Sequence, residues 1–196
     1  MLDAAVSVFS RRGYHAASMD EIAELAGISK PMVYAYVGAK EDLFAACIRR
    51  EADRMMAAIA GQAQDDLPPD EQLWRALQAF FRFVDEHRDS WSMLYRQARG
   101  EGGSLATELD TIRDRIVDLV SYLLGRTRAT HGAPGTEADL RALAYALVGA
   151  AEMLASRLTD HQEESADVTA ARLMNLAWVG FRDLLRGETW RPSRAP

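Results

Sequence analysis

Apolar residues recur at three- and four-residue intervals along nearly the whole chain, and no window sustains an alternation of apolar and polar residues. Amphipathic helices carry the first period and half-buried strands the second, so the sequence specifies an all-α fold. Glycines, prolines and capping residues divide it into about nine helices. The first runs from Leu2 to Arg12 with Ala5, Val6 and Phe9 on one face, and Gly13 ends it as a C′ residue. Ser18-Met19-Asp20-Glu21 reads as a capping box, the Ser18 hydroxyl accepting the Glu21 N–H while the Glu21 carboxylate reaches back. Gly27 closes the second helix. Ser29 then caps a third through Tyr36, with Pro31 in its first turn, where a missing N–H costs nothing.

Longer helices follow. The fourth, from about Lys40 to Gln64, turns Leu43, Phe44, Cys47 and Ile48 inward and bridges to the rest of the chain; Asp66-Leu67-Pro68-Pro69 breaks it. A fifth carries Leu73, Leu77, Phe80 and Val84, with Trp74 and Phe81 as a second stripe, and Ser90 is placed to cap a short sixth bearing Trp91, Leu94 and Tyr95. Gly100 to Gly103 separates this from a seventh helix with Ile112, Ile116, Leu119 and Leu123 on one face. Residues 126–135, RTRATHGAPG, read as a loop, after which Thr136 caps an eighth helix to about Leu158; a ninth covers about Asp167 to Leu185 and stops at Gly187. The expected division is an N-terminal domain over 1–45 and a C-terminal bundle over 46–196.

Composition narrows the function. With 48% hydrophobic residues in 196, the chain can bury a sizeable core. Lys+Arg 23 against Asp+Glu 29 leaves a net charge of −6, which excludes a uniformly basic coat, so any contact with nucleic acid is local. One cysteine, Cys47, allows no intramolecular disulfide and no cysteine-rich zinc site, and with no apolar run long enough for a bilayer the expectation is a cytoplasmic protein without membrane contact. His15, His87, His131 and His161 are scattered, no HExxH pair or glycine-rich phosphate loop occurs, and Cys47 faces apolar neighbours. No catalytic residue, metal or cofactor is therefore expected, and the chain does not read as an enzyme.

Ala23, Gly27 and Val33 have the spacing of a helix-turn-helix. A small residue lets two helices approach, glycine supplies positive φ at the turn, and valine packs into the angle. Residues 4–48, AAVSVFSRRGYHAASMDEIAELAGISKPMVYAYVGAKEDLFAACI, resemble the N-terminal domain of the TetR family of transcriptional repressors: Phe9, Gly13-Tyr14, the capped Ser18 to Ala23 start, Ala26-Gly27-Ile28-Ser29, Tyr34-Ala35-Tyr36 and Lys40-Glu41-Asp42-Leu43-Phe44 fall in the family's order. Beyond this segment only length and helix count resemble the family. The resemblance implies a homodimer with two heads on a palindromic double-stranded DNA operator, a ligand cavity in each C-terminal domain, and repression relieved by ligand. It places Ser18, Tyr36 and Lys40 on phosphates and Lys30, Met32 and Tyr34 nearest the base edges, with Ser29 at the head of the same helix.

Three departures from the family pattern bear on this. The sequence opens at Met1-Leu2, so the usual basic arm is either absent or lies outside it; Pro31-Met32 stands where hydroxyl donors are common; and Gly38-Ala39 is a weak cap for the fourth helix. Residues 1–50 also hold six Lys/Arg and six Asp/Glu, a net charge of zero.

In the C-terminal part, large flat side chains at one level of a bundle suit a cavity for a small hydrophobic or aromatic effector, and Trp74, Phe81, Trp91, Tyr95 and Tyr122 are its expected lining. Leu143, Leu147, Ala151 and Leu154 on the eighth helix, with Met174, Trp178 and Phe181 on the ninth, form the expected seam of a four-helix dimer interface. The rival reading is a helical protein-interaction module that keeps the helix-turn-helix as a scaffold; salt-dependent, sequence-selective DNA binding distinguishes the two.

Overall fold

The computed structural model describes residues 1–62, 67–97, 103–131, 136–161 and 163–185. They form nine α-helices and no strand: α1 Leu2–Ala16, α2 Met19–Ala26, α3 Lys30–Val37, α4 Lys40–Ala60, α5 Pro69–Glu86, α6 Arg88–Ser92, α7 Gly103–His131, α8 Glu137–Asp160 and α9 Ala166–Leu185. A π-helical turn, Met93–Gln97, continues directly from α6.

The small head, α1 to α3 with the start of α4, closes around Val8, Phe9, Ile22, Val33, Leu43, Phe44 and Ile48, all fully buried. Phe9 and Phe44 meet edge to face at 4.7 Å, and Tyr14 lies 4.9 Å from Phe44. Each such ring removed from water contributes roughly 1.5–3 kcal/mol. Met93, Leu94 and Ile112, from far along the chain, complete this core. In the body α9 packs along α5 and α7 along α8. The body's centre is Leu73, Leu77, Phe81, Val84, Trp91, Leu158 and Leu173.

Several local expectations are corrected. Gly13 does take positive φ (79°), but helical geometry resumes for one turn to Ala16. Ser18 caps α2 by accepting the Asp20 N–H at 3.1 Å, not that of Glu21, because the Glu21 carboxylate turns to Arg12 at 3.5 Å and Arg11 at 4.0 Å. Ser90 caps nothing. It lies inside α6, which starts at Arg88, and donates its hydroxyl to Glu51 Oε2 at 2.7 Å. The expected loop at 126–135 is helical to His131, since residues 126–131 contain neither glycine nor proline; 132–135 lie outside the described residues. The weak cap of α4 is offset by Asp42, whose carboxylate accepts the Ala39 N–H at 2.9 Å. Thr136 and Asp139 do form a reciprocal box at the start of α8. Cys47 is buried, and loss of hydration pushes its thiol up to about 12, so it is no nucleophile at neutral pH.

Candidate functional site

The turn between α2 and α3 has the geometry its spacing requires. Gly27 sits at φ 68°, its N–H and that of Ile28 are received by the Glu24 and Ala23 carbonyls at 3.1 Å, and Ala23 and Val33 are buried where the two helices cross. Val33 is the one fully buried side chain of α3. Val37 is partly buried against the same core, and the other large side chains face outward: Met32 is 45% exposed, Tyr34 44% and Tyr36 71%. Large apolar and aromatic side chains exposed on a short helix mark a contact surface rather than a packing surface. Ser18 and Ser29 are exposed at the N-termini of α2 and α3, where unpaired backbone N–H groups and the helix dipole favour phosphate.

The head's cations are tied to its own acceptors. Lys30 Nζ lies 2.8 Å from Asp20, whose hydrogen bond and charge hold the ammonium above the ordinary lysine range. Lys40 donates to the His15 carbonyl at 3.0 Å and sits 4.9 Å over the Tyr14 ring. Arg11 and Arg12 both lie on Glu21, so three of the head's four Lys/Arg side chains face a carboxylate at the surface and the fourth, Lys40, a carbonyl. Exposed pairs of this kind are weak, so a competing anion can displace them.

Behind the head, α4 carries a fully buried carboxylate that sequence reasoning missed. Glu51 receives Arg50 Nε at 2.7 Å, Arg54 Nη1 at 2.9 Å and the Ser90 hydroxyl at 2.7 Å, and Arg50 reaches on to Asp3 of α1 at 2.8 Å. α1, α4 and α6 are thus joined through the adjacent pair Arg50–Glu51. The available signal was a glutamate at an inward position of the helix, one turn after Cys47 and one before Met55.

The expected effector residues do not share one cavity. Trp91 and Tyr95 do: their rings stack at 5.1 Å and line a cavity of about 60 Å³ together with Met55, Leu94, Ile112, Ile116, Arg113 and Glu152. Phe81 is fully buried in solid core, Trp74 is half-buried against the same core, and Tyr122 is 62% exposed on α7. Arg113 pairs with Glu152, and Tyr95 Oη lies 3.3 Å from Met153 Sδ. Sequence reasoning missed Arg113 and Glu152, although each sits beside a core residue, Ile112 and Ala151.

A second, open and apolar groove of about 210 Å³ runs between α8 and α9, lined by Leu143, Leu147, Ala150, Leu173, Leu176 and Ala177. Of the expected interface residues, Leu143 and Leu147 line it, whereas Ala151, Leu154, Met174 and Trp178 pack against the body core; the Phe181 side chain lies outside the described residues. Leu176 (73% exposed) and Val179 (51%) leave the outer face of α9 uncovered.

Comparison with known proteins agrees with this architecture at both ends of the chain. The family described as "Bacterial regulatory proteins, tetR family" matches residues 1–47, and "Tetracyclin repressor-like, C-terminal domain" matches 69–180. A TetR-like transcriptional regulator from Rhodococcus sp. RHA1 is 45% identical, with a TM-score of 0.78 over 92% of this chain and 93% of that one. The regulator FadR of Bacillus subtilis, solved with stearoyl-CoA, shares the fold at 17% identity, with a TM-score of 0.80 over 90% of this chain and 95% of its own. The transcriptional activator FasR of Mycolicibacterium smegmatis is 30% identical over 126 residues, 64% of this chain; the chain spans 58% of its length. The helix-turn-helix head, the helical body and these matches together establish that the chain belongs to the TetR family of transcriptional regulators.

Proposed function

We propose that the chain is a cytoplasmic, homodimeric, ligand-responsive regulator, acting as a repressor, that binds a palindromic operator through the head at residues 1–45 and releases it on binding an effector in the body at 46–196. The observation that carries this reading is α3, which buries Val33 and turns Met32, Tyr34 and Tyr36 to solvent beside Lys30. A recognition helix enters the major groove N-terminus first, with apolar side chains reading thymine methyls and the flanking Ser18, Ser29, Tyr36 and Lys40 holding phosphates. Two heads follow the symmetry of the operator, and the apolar α8–α9 groove with exposed Leu176 supports pairing of two copies there.

The cavity beside Trp91 and Tyr95 is the proposed effector site. Its walls are apolar apart from Asp110, Arg113 and Glu152, which supports a small hydrophobic ligand once the cavity of about 60 Å³ widens; the stearoyl-CoA bound by the Bacillus subtilis relative makes an acyl thioester the first compound to try. Release follows if the ligand binds more tightly to a conformation whose heads no longer match successive major grooves.

The test is operator selection from random duplexes, then a salt titration. Lys40→Ala is expected to weaken binding to all sequences alike and to lower the slope of log K against log salt by about 0.9, one phosphate contact. Absence of sequence-selective, salt-dependent binding would overturn the reading in favour of a protein-interaction module, a role compatible with a head whose four Lys/Arg are outnumbered by six Asp/Glu.

A further inference from the structure

A lysine and an aspartate meet where the outward-facing helix of the head begins. Lys30 is the first residue of α3 and Asp20 the second of α2, and their side chains join at 2.8 Å although both are exposed. The ammonium spends one of its three protons on this contact, and neither side chain makes another hydrogen bond among the described residues. Two donor positions on Lys30 and the Asp20 Oδ1 oxygen therefore remain available to a ligand.

A carboxylate at this tip works against DNA binding unless it meets something there. A recognition helix sets its N-terminal residues against the base edges, and that brings Asp20 toward a duplex whose phosphates repel it. An acid in the first turn does favour α2, but Glu21 stands in the same turn. As a pair, Lys30 and Asp20 are neutral and offer donors on one side and an acceptor on the other. In the major groove, G·C shows two adjacent acceptors on guanine, N7 and O6, followed by the cytosine N4–H donor. The ammonium matches the acceptors and the carboxylate matches the N4–H. At A·T the order is acceptor, donor, acceptor and methyl. The ammonium then keeps one acceptor instead of two, and a carboxylate on the adenine N6–H lies beside the thymine O4, which repels it.

We propose, resting on the reading of α3 as the recognition helix, that Lys30 and Asp20 read a single G·C pair in each half-site as one unit. The Lys30 ammonium donates to guanine N7 and O6, and the Asp20 carboxylate accepts from the cytosine N4–H. Asp20 also holds the ammonium on the bases and away from the phosphates.

The experiment starts from the operator that the full chain selects out of random duplexes. Each base pair is replaced in turn, in both half-sites together, and affinities at one salt concentration are measured for the parent, Lys30→Met and Asp20→Ala. The parent is expected to favour G·C by about tenfold or more at one position, and there alone each variant should reduce the preference to below about threefold. The double variant should lose no more than either single one. Preferences rather than affinities carry the answer, because deleting the carboxylate also removes its repulsion from every phosphate. Asp20→Asn, the alternative should alanine fail to fold, keeps an acceptor for cytosine but gains a donor, and should narrow the preference over A·T alone. A duplex with 7-deazaguanine at that position lacks the N7 acceptor; it should bind the parent more weakly than the unmodified duplex and Lys30→Met equally well. Variants that weaken all duplexes alike, act at different positions or leave the G·C preference intact would overturn the proposal. So would a preference for A·T at the shared position, or a parent indifferent to 7-deazaguanine. Failure of the full chain to select any duplex would instead overturn the underlying reading of α3.

Discussion

Glu51→Ala is the perturbation with the largest expected effect on stability. The carboxylate is fully buried and accepts from two guanidinium groups and from Ser90, so alanine leaves three donors facing a small void. Breaking a buried ion pair by removing one partner costs about 3–5 kcal/mol. Two of the donors escape most of that cost, because the Arg50 and Arg54 side chains are 26% and 44% exposed and regain water by swinging outward. Ser90, 5% exposed, has no such route. The expected loss is therefore at the low end, about 3 kcal/mol, with the unmet Ser90 hydroxyl as its firmest part. For a chain of this size each kcal/mol lowers Tm by roughly 2–4 °C, so calorimetry should record a fall of about 6–12 °C. Ser90→Ala, which removes one donor and leaves the carboxylate with its two arginines, should fall well short of this. A Glu51→Ala protein melting within about 2 °C of the parent would mean that the Coulombic attraction and the desolvation of the pair cancel, and would refute the argument.

Asp20→Asn releases Lys30 from its partner and is expected to raise operator affinity while steepening the salt slope by up to about 0.9; an unchanged slope would show that Lys30 does not reach a phosphate. Leu176→Glu charges the exposed face of α9 without disturbing the body core, and sedimentation should find a folded monomer, whereas a folded dimer would remove this face from the interface. Arg82 donates to Asp167 at 2.8 Å, joining α5 to α9, and its hydrogen bond holds the Asp167 carboxyl below the usual carboxylate range. The folded carboxyl is the stronger acid, so this pair contributes stability above the ordinary carboxylate range and loses it as pH falls through the lowered value. Acid titrations of Asp167→Asn should accordingly be flatter than those of the parent below about pH 4, by a small amount because both groups are half exposed.

The head was legible in the sequence because its signals are local. Gly27, Ala23 and Val33 act through backbone conformation and close approach within fifteen residues, and the structure has each in the expected role. Caps were legible only in part, since a carboxylate chooses among all partners in reach: Asp139 turns back to Thr136, but Glu21 finds Arg12. The expected effector wall fared less well. Aromatic side chains were grouped by position along the chain, yet burial is decided by which helix each stripe meets; Phe81 goes to the core and Tyr122 to solvent. Glu51 and Arg113 were passed over for the opposite reason. Charged residues in an amphipathic helix are read as solvated, and a single inward charge barely disturbs the periodicity that defines the face.

The head's core draws Met93 and Leu94 from the π-helical turn and Ile112 from α7. A fragment cut after residue 45 would therefore expose part of the surface that those three side chains cover, and should be less stable than its own hydrophobic content suggests. The same contact bears on chimeras. Grafting the head onto another family member's body should succeed where the recipient offers side chains of matching volume at the positions of Met93, Leu94 and Ile112. Where it does not, the graft needs those three residues carried across as part of the module. The interchangeable unit of this regulator is thus discontinuous in sequence, and swaps made at a single breakpoint should misfold or lose ligand control more often than swaps made with the trio included.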